Sequence, residues 1–122
     1  MIAFLNKEAK HEKVKAFLKN AVKEKAGILM SAVNFGEIYY VVYRAEGKMP
    51  ADSLLPLISA IPVSIIPPDI DTVILAARYK AHKKMSYADC FAAALAKNTG
   101  AMILTSDPEF REVEKEIDII QI

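Results

Sequence analysis

The sequence predicts an α/β protein, a three-layer α/β/α sandwich built around a mostly parallel sheet. Short apolar segments that suit buried strands alternate along the chain with longer segments whose apolar residues recur every three or four positions. This alternation is typical of parallel strands connected by helices that cover both faces of the sheet. With 122 residues, 53% hydrophobic and 25% charged, the chain has the size and composition of a single domain, residues 1–122.

The first half of the chain predicts two helices separated by a strand. Residues 13–22 predict a helix that ends at Gly27, because their apolar residues share one face: Val14, Phe17, Leu18, Ala21 and Val22. Residues 28–30 predict a strand, and Ser31 is placed to cap a helix over 32–45 that Gly47 ends. That helix carries more apolar and aromatic surface than one face can bury, which predicts contact with a second subunit as well as with the sheet.

The second half continues the alternation. A short helix is predicted over 50–60 and a strand over 63–66, and Asp69 can cap the helix that follows. The next helix begins after Ser86 and ends at Gly100, and residues 101–104 predict a buried strand. Asp107 and Pro108 begin a charged helix that finishes over 111–115, and 117–122 predicts a final strand.

Charge and composition exclude several classes of function. The formal net charge of +1 means that nucleic-acid binding would need a local basic patch. The single cysteine, Cys90, lies in an apolar segment and implies neither a disulfide nor zinc, as expected in the reducing cytoplasm. No apolar run approaches the roughly 20 residues that span a membrane, and no signal peptide is visible. We therefore expect a cytoplasmic protein without a membrane partner.

Three acidic residues each have an ordinary structural explanation. Glu37 could be an exposed residue on the solvent side of its helix, Asp89 fits a capping box with Ser86, and Asp107 followed by proline is a usual helix start. Their joint placement suggests a shared site. Glu37 and Asp107 each follow a strand, and the carboxyl ends of parallel strands meet at one edge of the sheet. Asp89 joins them if its helix begins at the same edge.

Clustered carboxylates repel one another and persist when a cation neutralises them. Oxygen ligands without Cys or His favour Mg²⁺ or Mn²⁺ over zinc, and metal-assisted phosphodiester hydrolysis is the natural chemistry of such a site. A competing motif is Asp69-Ile70-Asp71-Thr72-Val73, which matches the D-x-D signature of haloacid-dehalogenase-like phosphatases. A helix N-terminus enriched in aspartate explains that motif better, since two prolines separate it from the preceding strand.

Three short motifs resemble those of the PIN-domain ribonucleases and, within them, the VapC-like toxins of toxin–antitoxin pairs. They are SAVNFGE at 31–37, SYAD at 86–89 and LTSDPEF at 104–110. The resemblance implies an endoribonuclease that uses Mg²⁺ or Mn²⁺, with Glu37, Asp89 and Asp107 as metal-site residues and Thr105 as a polar neighbour. It also implies an RNA substrate, a homodimer and a cognate antitoxin that inhibits the enzyme.

The sequence departs from this family at its start. The family's first strand and first metal-binding aspartate have no visible counterpart, since no Asp precedes Asp52 and residues 2–5 look like the start of the family's first helix. Three explanations are open: a start site placed too late, a truncation with a weakened or dead site, or replacement by Glu109 or water. We expect a one-metal or inactive site, and a catalytically silent protein-binding module is the rival hypothesis.

Substrate contacts leave a weaker signal in the sequence. Lys83 and Lys84 precede Asp89 closely enough to reach a phosphate backbone, as could the lysines between Lys7 and Lys25. Most of these lysines are explained as solvated helix faces, and His82 as an ordinary residue at a helix end.

Overall fold

The computed structural model describes residues 3–5, 28–60, 62–105 and 107–121. Within these ranges, five strands form one sheet, and each neighbouring pair is parallel. The strands are β1 (Ala3–Leu5), β2 (Ile28–Ser31), β3 (Val63–Ile66), β4 (Met102–Thr105) and β5 (Ile119–Gln121), and their order across the sheet is β3-β2-β1-β4-β5. The predicted α/β class with a parallel sheet is confirmed.

The helices of the described residues alternate with these strands. They are α1 (Ala32–Glu46), α2 (Lys48–Asp52), α3 (Leu54–Ser59), α4 (Ile70–His82), α5 (Tyr87–Thr99) and a 3₁₀ helix, η1 (Pro108–Val113). The predicted caps are confirmed: the Ser31 hydroxyl accepts from the Val33 N–H at 3.2 Å, and α1 ends at Gly47. The helix predicted over 13–22 lies outside the described residues.

The start of the chain corrects one expectation. Residues 3–5, which look like the start of a helix, form β1, and this strand pairs with β2 on one side and β4 on the other. The sheet therefore has a strand at its centre, and the expectation that this central strand is missing is wrong. A three-residue apolar segment carries no periodicity, so sequence alone does not distinguish a strand from a helix there.

The single helix predicted over 50–60 is two short helices that meet at Ser53. Pro56 lacks the N–H that would donate to the carbonyl of Asp52, and its ring would clash with that carbonyl in a continuous helix. The Ser53 hydroxyl instead donates to the carbonyl of Pro50 at 2.7 Å. Likewise, the charged helix predicted to finish over 111–115 is the 3₁₀ helix η1, which ends at Val113.

Of the helices in the described ranges, α5 is the most buried. Residues 89–96 of this helix are all buried, and five of the eight are alanine or cysteine, so the helix can approach its neighbours closely. Phe110 and Ile103 are 0% exposed and Val113 is 1% exposed, so η1 is anchored to the same core as β4 and α5. The N-terminal turn of α5 and the start of η1 thus belong to one packed unit, which fixes the positions of the carboxylates they carry.

Candidate metal centre

Asp89 lies in the first turn of α5 and is only 7% exposed. Ser86 caps this helix, because its hydroxyl oxygen accepts from the Asp89 N–H at 3.1 Å. The serine half of the predicted capping box is therefore confirmed. The contact uses the backbone N–H of Asp89, whose carboxyl group also interacts with Asp107.

Asp107 lies two residues beyond the end of β4 and caps η1. Its Oδ1 accepts from the Glu109 N–H at 2.9 Å, and its own N–H donates to Thr105 Oγ1 at 2.9 Å. Thr105 is 0% exposed, so this contact ties Asp107 to the buried end of the strand. The predicted helix-start role of Asp107 is confirmed, and Thr105 fixes the backbone from which Asp107 projects.

Three carboxylates from these two elements come together. Asp89, Asp107 and Glu109 each offer an oxygen that lies within 4.8 Å of the other two. We call these three residues the acidic group. Asp89 is buried, Asp107 is half-buried and Glu109 is exposed, so the group extends from the core to the surface.

The acidic group is electrostatically strained without a cation. The pKa of Asp89 is raised to about 7, first by burial, then by the negative charge of Asp107 and by a hydrogen bond in which protonated Asp89 donates to the Asp107 carboxylate. The Ser86 side chain opposes this rise by a hydrogen bond to the charged form, and the charge of Glu37 adds to it. Mutual repulsion of this kind is what a bound cation would relieve.

Glu37 lies in the second turn of α1 and is half-buried. Its charge acts on Asp89, which places it near the acidic group, although it is not one of the three carboxylates within 4.8 Å. Of the predicted site residues, Asp89 and Asp107 therefore meet directly, Thr105 supports Asp107, and Glu37 stands close by. Their roles in metal binding and catalysis remain predictions.

Glu109 is the member of the acidic group that sequence reasoning named only as a substitute. The signal for it is its position two residues after Asp107 in the first turn of η1, where the cap draws its backbone towards Asp107. The donor set, carboxylate oxygens alone, fits a hard cation such as Mg²⁺, Mn²⁺ or Ca²⁺ and does not fit zinc. Cys90 is adjacent in sequence but buried, and burial raises the pKa of its thiol.

The competing D-x-D motif has a structural role at the other end of α5. Asp69 caps α4, where its Oδ1 accepts from the Thr72 N–H at 2.8 Å. The Thr72 hydroxyl in turn accepts from Asn98 in the last turn of α5, whereas Asp89 is in the first turn. The motif therefore lies away from the acidic group, and the helix-start explanation is confirmed for Asp69.

In the part of the chain that the structure describes, no helix is long and apolar enough to cross a membrane.

Comparison with known families and structures agrees with this geometry. The family model described as PIN domain matches residues 1–116. Comparison with curated proteins gave no match.

Several solved structures share the fold at low sequence identity. VapBC2 from Rickettsia felis, bound to a DNA fragment from its promoter, is 17% identical with a TM-score of 0.78, and the alignment covers 99% of this chain and 98% of that one. VapBC-1 from nontypeable Haemophilus influenzae is 14% identical with a TM-score of 0.70, with coverage of 99% and 98%. VapC20 from Mycobacterium tuberculosis, a toxin that cleaves the sarcin-ricin loop, is 13% identical with a TM-score of 0.62, with coverage of 79% and 75%.

Proposed function

Because the chain belongs to the PIN domain family, we propose that it is an endoribonuclease that hydrolyses RNA phosphodiester bonds with Mg²⁺ or Mn²⁺. The observation that carries this proposal is the acidic group, in which a buried carboxylate with a pKa of about 7 meets two further carboxylates. Such an arrangement is costly without a cation and favourable with one.

The ion would be held by Asp89, Asp107 and Glu109, with Glu37 close enough to contribute charge. When bound, a hard divalent cation stabilises negative charge on the phosphate and makes a neighbouring water more acidic. Ser86 and Thr105 are positioning residues in this proposal, because they fix the backbone N–H groups of Asp89 and Asp107. Their hydrogen bonds keep the two carboxylates together before the ion arrives.

We further propose that the chain is the toxin of a toxin–antitoxin pair and forms a homodimer. The structures it resembles include VapBC toxin–antitoxin proteins, which supports an antitoxin as partner. The dimer is supported by exposed side chains on α1, where Tyr40, Tyr43 and Val41 are 47%, 46% and 41% exposed. Sedimentation analysis of the free chain tests the dimer, and a monomer at micromolar concentration would contradict it.

A cleavage assay tests the nuclease proposal. The full chain, incubated with labelled single-stranded RNA, should cleave with Mg²⁺ or Mn²⁺ and not with excess EDTA. Asp89→Asn should lower the rate by at least about 100-fold, the upper end of the loss found when a group that only orients a metal ligand is removed. Asp71→Asn is the matched control, because Asp71 is exposed and adjoins Thr72 at the opposite end of α5.

Cleavage that persists in EDTA, or an equal loss in both variants, would contradict the proposal. Calorimetric titration with Mn²⁺ is an independent measurement, and three carboxylates around one point predict one bound ion per chain. Two fully occupied ions would contradict the one-metal prediction. Metal binding without any RNA cleavage would favour the silent protein-binding module.

A further inference from the structure

We propose that Lys84 and Arg111 bind a phosphate of the RNA backbone beside the bond that is cleaved. They line a groove of about 310 Å³ together with Pro108, Glu109 and Glu112, and we call it the basic groove. The inference rests on the proposed nuclease function, to which it adds the path of the substrate.

The basic groove adjoins the acidic group at Glu109. Glu109 belongs to both, since one of its carboxylate oxygens lies within 4.8 Å of Asp89 and Asp107 while the residue also lines the groove. A phosphodiester whose reacting phosphate is at the acidic group would therefore place a neighbouring phosphate in the groove. Arginine and lysine are the side chains that bind phosphate, arginine by paired N–H donors.

The two cations come from different segments that are fastened together. Lys84 lies between α4 and α5, and its backbone N–H donates to Glu112 Oε1 of η1 at 3.1 Å. Lys80 steadies the same connection by donating from Nζ to the carbonyl of Met85 at 2.9 Å. On the other side, the fully buried Phe110 directly precedes Arg111 and anchors η1. The fold thus sets the spacing of the two backbone positions from which these side chains extend.

Both cations are available to a ligand. Within the described ranges, neither the Lys84 ammonium nor the Arg111 guanidinium lies within 4 Å of a carboxylate oxygen, whereas Lys48 pairs with Asp52 at 2.6 Å. An RNA strand that approaches three carboxylates is repelled by them, and the chain's net charge of +1 offers little general attraction. Lys84 and Arg111 supply local positive charge beside the carboxylates, although Glu109 and Glu112 share the groove with them.

A second groove provides an internal control. It has a volume of about 290 Å³ and lies at the other end of α5, lined by Ala96, Lys97, Gly100, Ala101, Glu116, Ile117 and Asp118. Lys97 is exposed like Lys84, but it lies in the last turn of α5, and Asp89 lies in the first. Lys97→Gln therefore removes one positive charge, as Lys84→Gln alone does, at a site where we expect no RNA contact.

RNA binding by the full chain tests the inference. The probe is a fluorescein-labelled single-stranded RNA. Its binding is measured by fluorescence anisotropy in EDTA, so that binding is observed without cleavage. The Lys84→Gln/Arg111→Gln double variant should bind at least about 10-fold more weakly than the wild type. For this variant, the slope of log affinity against log salt concentration should be shallower by about 1.4, the value for two lost phosphate contacts to a single strand. Lys97→Gln should match the wild type in both respects.

Arg111→Lys distinguishes binding from folding, because it keeps the charge and should retain most of the affinity. The inference is overturned if the double variant binds like the wild type, if Lys97→Gln weakens binding as much, or if the wild type does not bind RNA. A wild type that binds RNA through these residues but never cleaves it would refute the nuclease proposal and leave the phosphate contacts standing.

Discussion

Asp89→Asn should make the metal-free protein more stable at pH 8, although it removes a proposed metal ligand. Asp89 is 7% exposed, and the pKa of its carboxyl group is about 7 because of burial, Asp107 and Glu37. At pH 8 the folded protein therefore holds a charge that its surroundings oppose. Asparagine keeps the shape and an N–H donor towards Asp107 without that charge.

The sign and size follow from proton linkage. The folded protein keeps a proton that the unfolded chain releases at a pKa of about 3.9, so this residue lowers stability as pH rises from about 4 to about 7. The full difference between the two pKa values corresponds to a loss of about 4 kcal/mol in the free energy of unfolding at pH 8. Solvent on the open side of the acidic group screens the charges and reduces this loss, so we expect Asp89→Asn to raise the free energy of unfolding by about 2 kcal/mol.

The assay is urea unfolding followed by far-ultraviolet circular dichroism, in EDTA, at pH values between 4 and 8. The difference in unfolding free energy between Asp89→Asn and the wild type should grow with pH and level off above pH 7. Asp71→Asn, an exposed control, should show no such trend. Adding Mn²⁺ should stabilise the wild type more than Asp89→Asn, since only the wild type has all three carboxylates. A pH-independent difference, or a less stable variant at pH 8 in EDTA, would refute the reasoning.

Three further substitutions test how the fold is stabilised. Phe110→Ala should cost about 3–5 kcal/mol in urea unfolding, because the ring is 0% exposed, and should weaken Mn²⁺ binding measured by calorimetry. Gly100→Ala should lower the free energy of unfolding by about 1–2 kcal/mol, because Gly100 has a left-handed φ of 73°. Gly100→Asn should lower it less, and equal losses would contradict the conformational argument. Asp69→Ala should lower the melting temperature while Asp69→Asn should not, since Asp69 caps α4. Hydrogen bonds from Thr72 lower the pKa of Asp69. The contribution of Asp69 to stability is therefore present above its pKa in the unfolded chain and is lost as pH falls through its pKa in the folded protein.

Much of the fold could be predicted because its signals are local. Ser31, Asp69, Ser86 and Gly100 end or begin helices where the sequence predicts, each through a hydrogen bond or a backbone angle that its residue type favours. Strand β3 matches its predicted range of 63–66 because prolines follow it directly. Local chemistry of this kind needs no knowledge of the rest of the chain.

The errors arise where distant parts of the chain decide the structure. Residues 3–5 become a strand because β2 and β4 offer backbone partners on both sides, which no local pattern reveals. The break at Ser53 could have been predicted from Pro56, since the missing N–H is a property of the residue itself. Glu109 joins the acidic group because its backbone N–H donates to Asp107, while Asp89 comes from another element. Sequence motifs identified Asp89 and Asp107, but only the packed structure shows which third carboxylate they meet.

The ordinary and the metal-binding explanations of Asp107 are compatible, and one pair of variants separates their contributions. Its Oδ1 caps η1 while the residue also belongs to the acidic group, so one side chain serves both purposes. Asp107→Ser and Asp107→Ala remove the same charge, but serine can still cap the helix. The serine variant should therefore be about 1 kcal/mol more stable than the alanine variant in urea unfolding. Both should lose Mn²⁺ affinity equally in calorimetry, because neither retains a carboxylate. If the serine variant kept wild-type affinity, Asp107 would be a helix cap alone and the acidic group would not be a metal site.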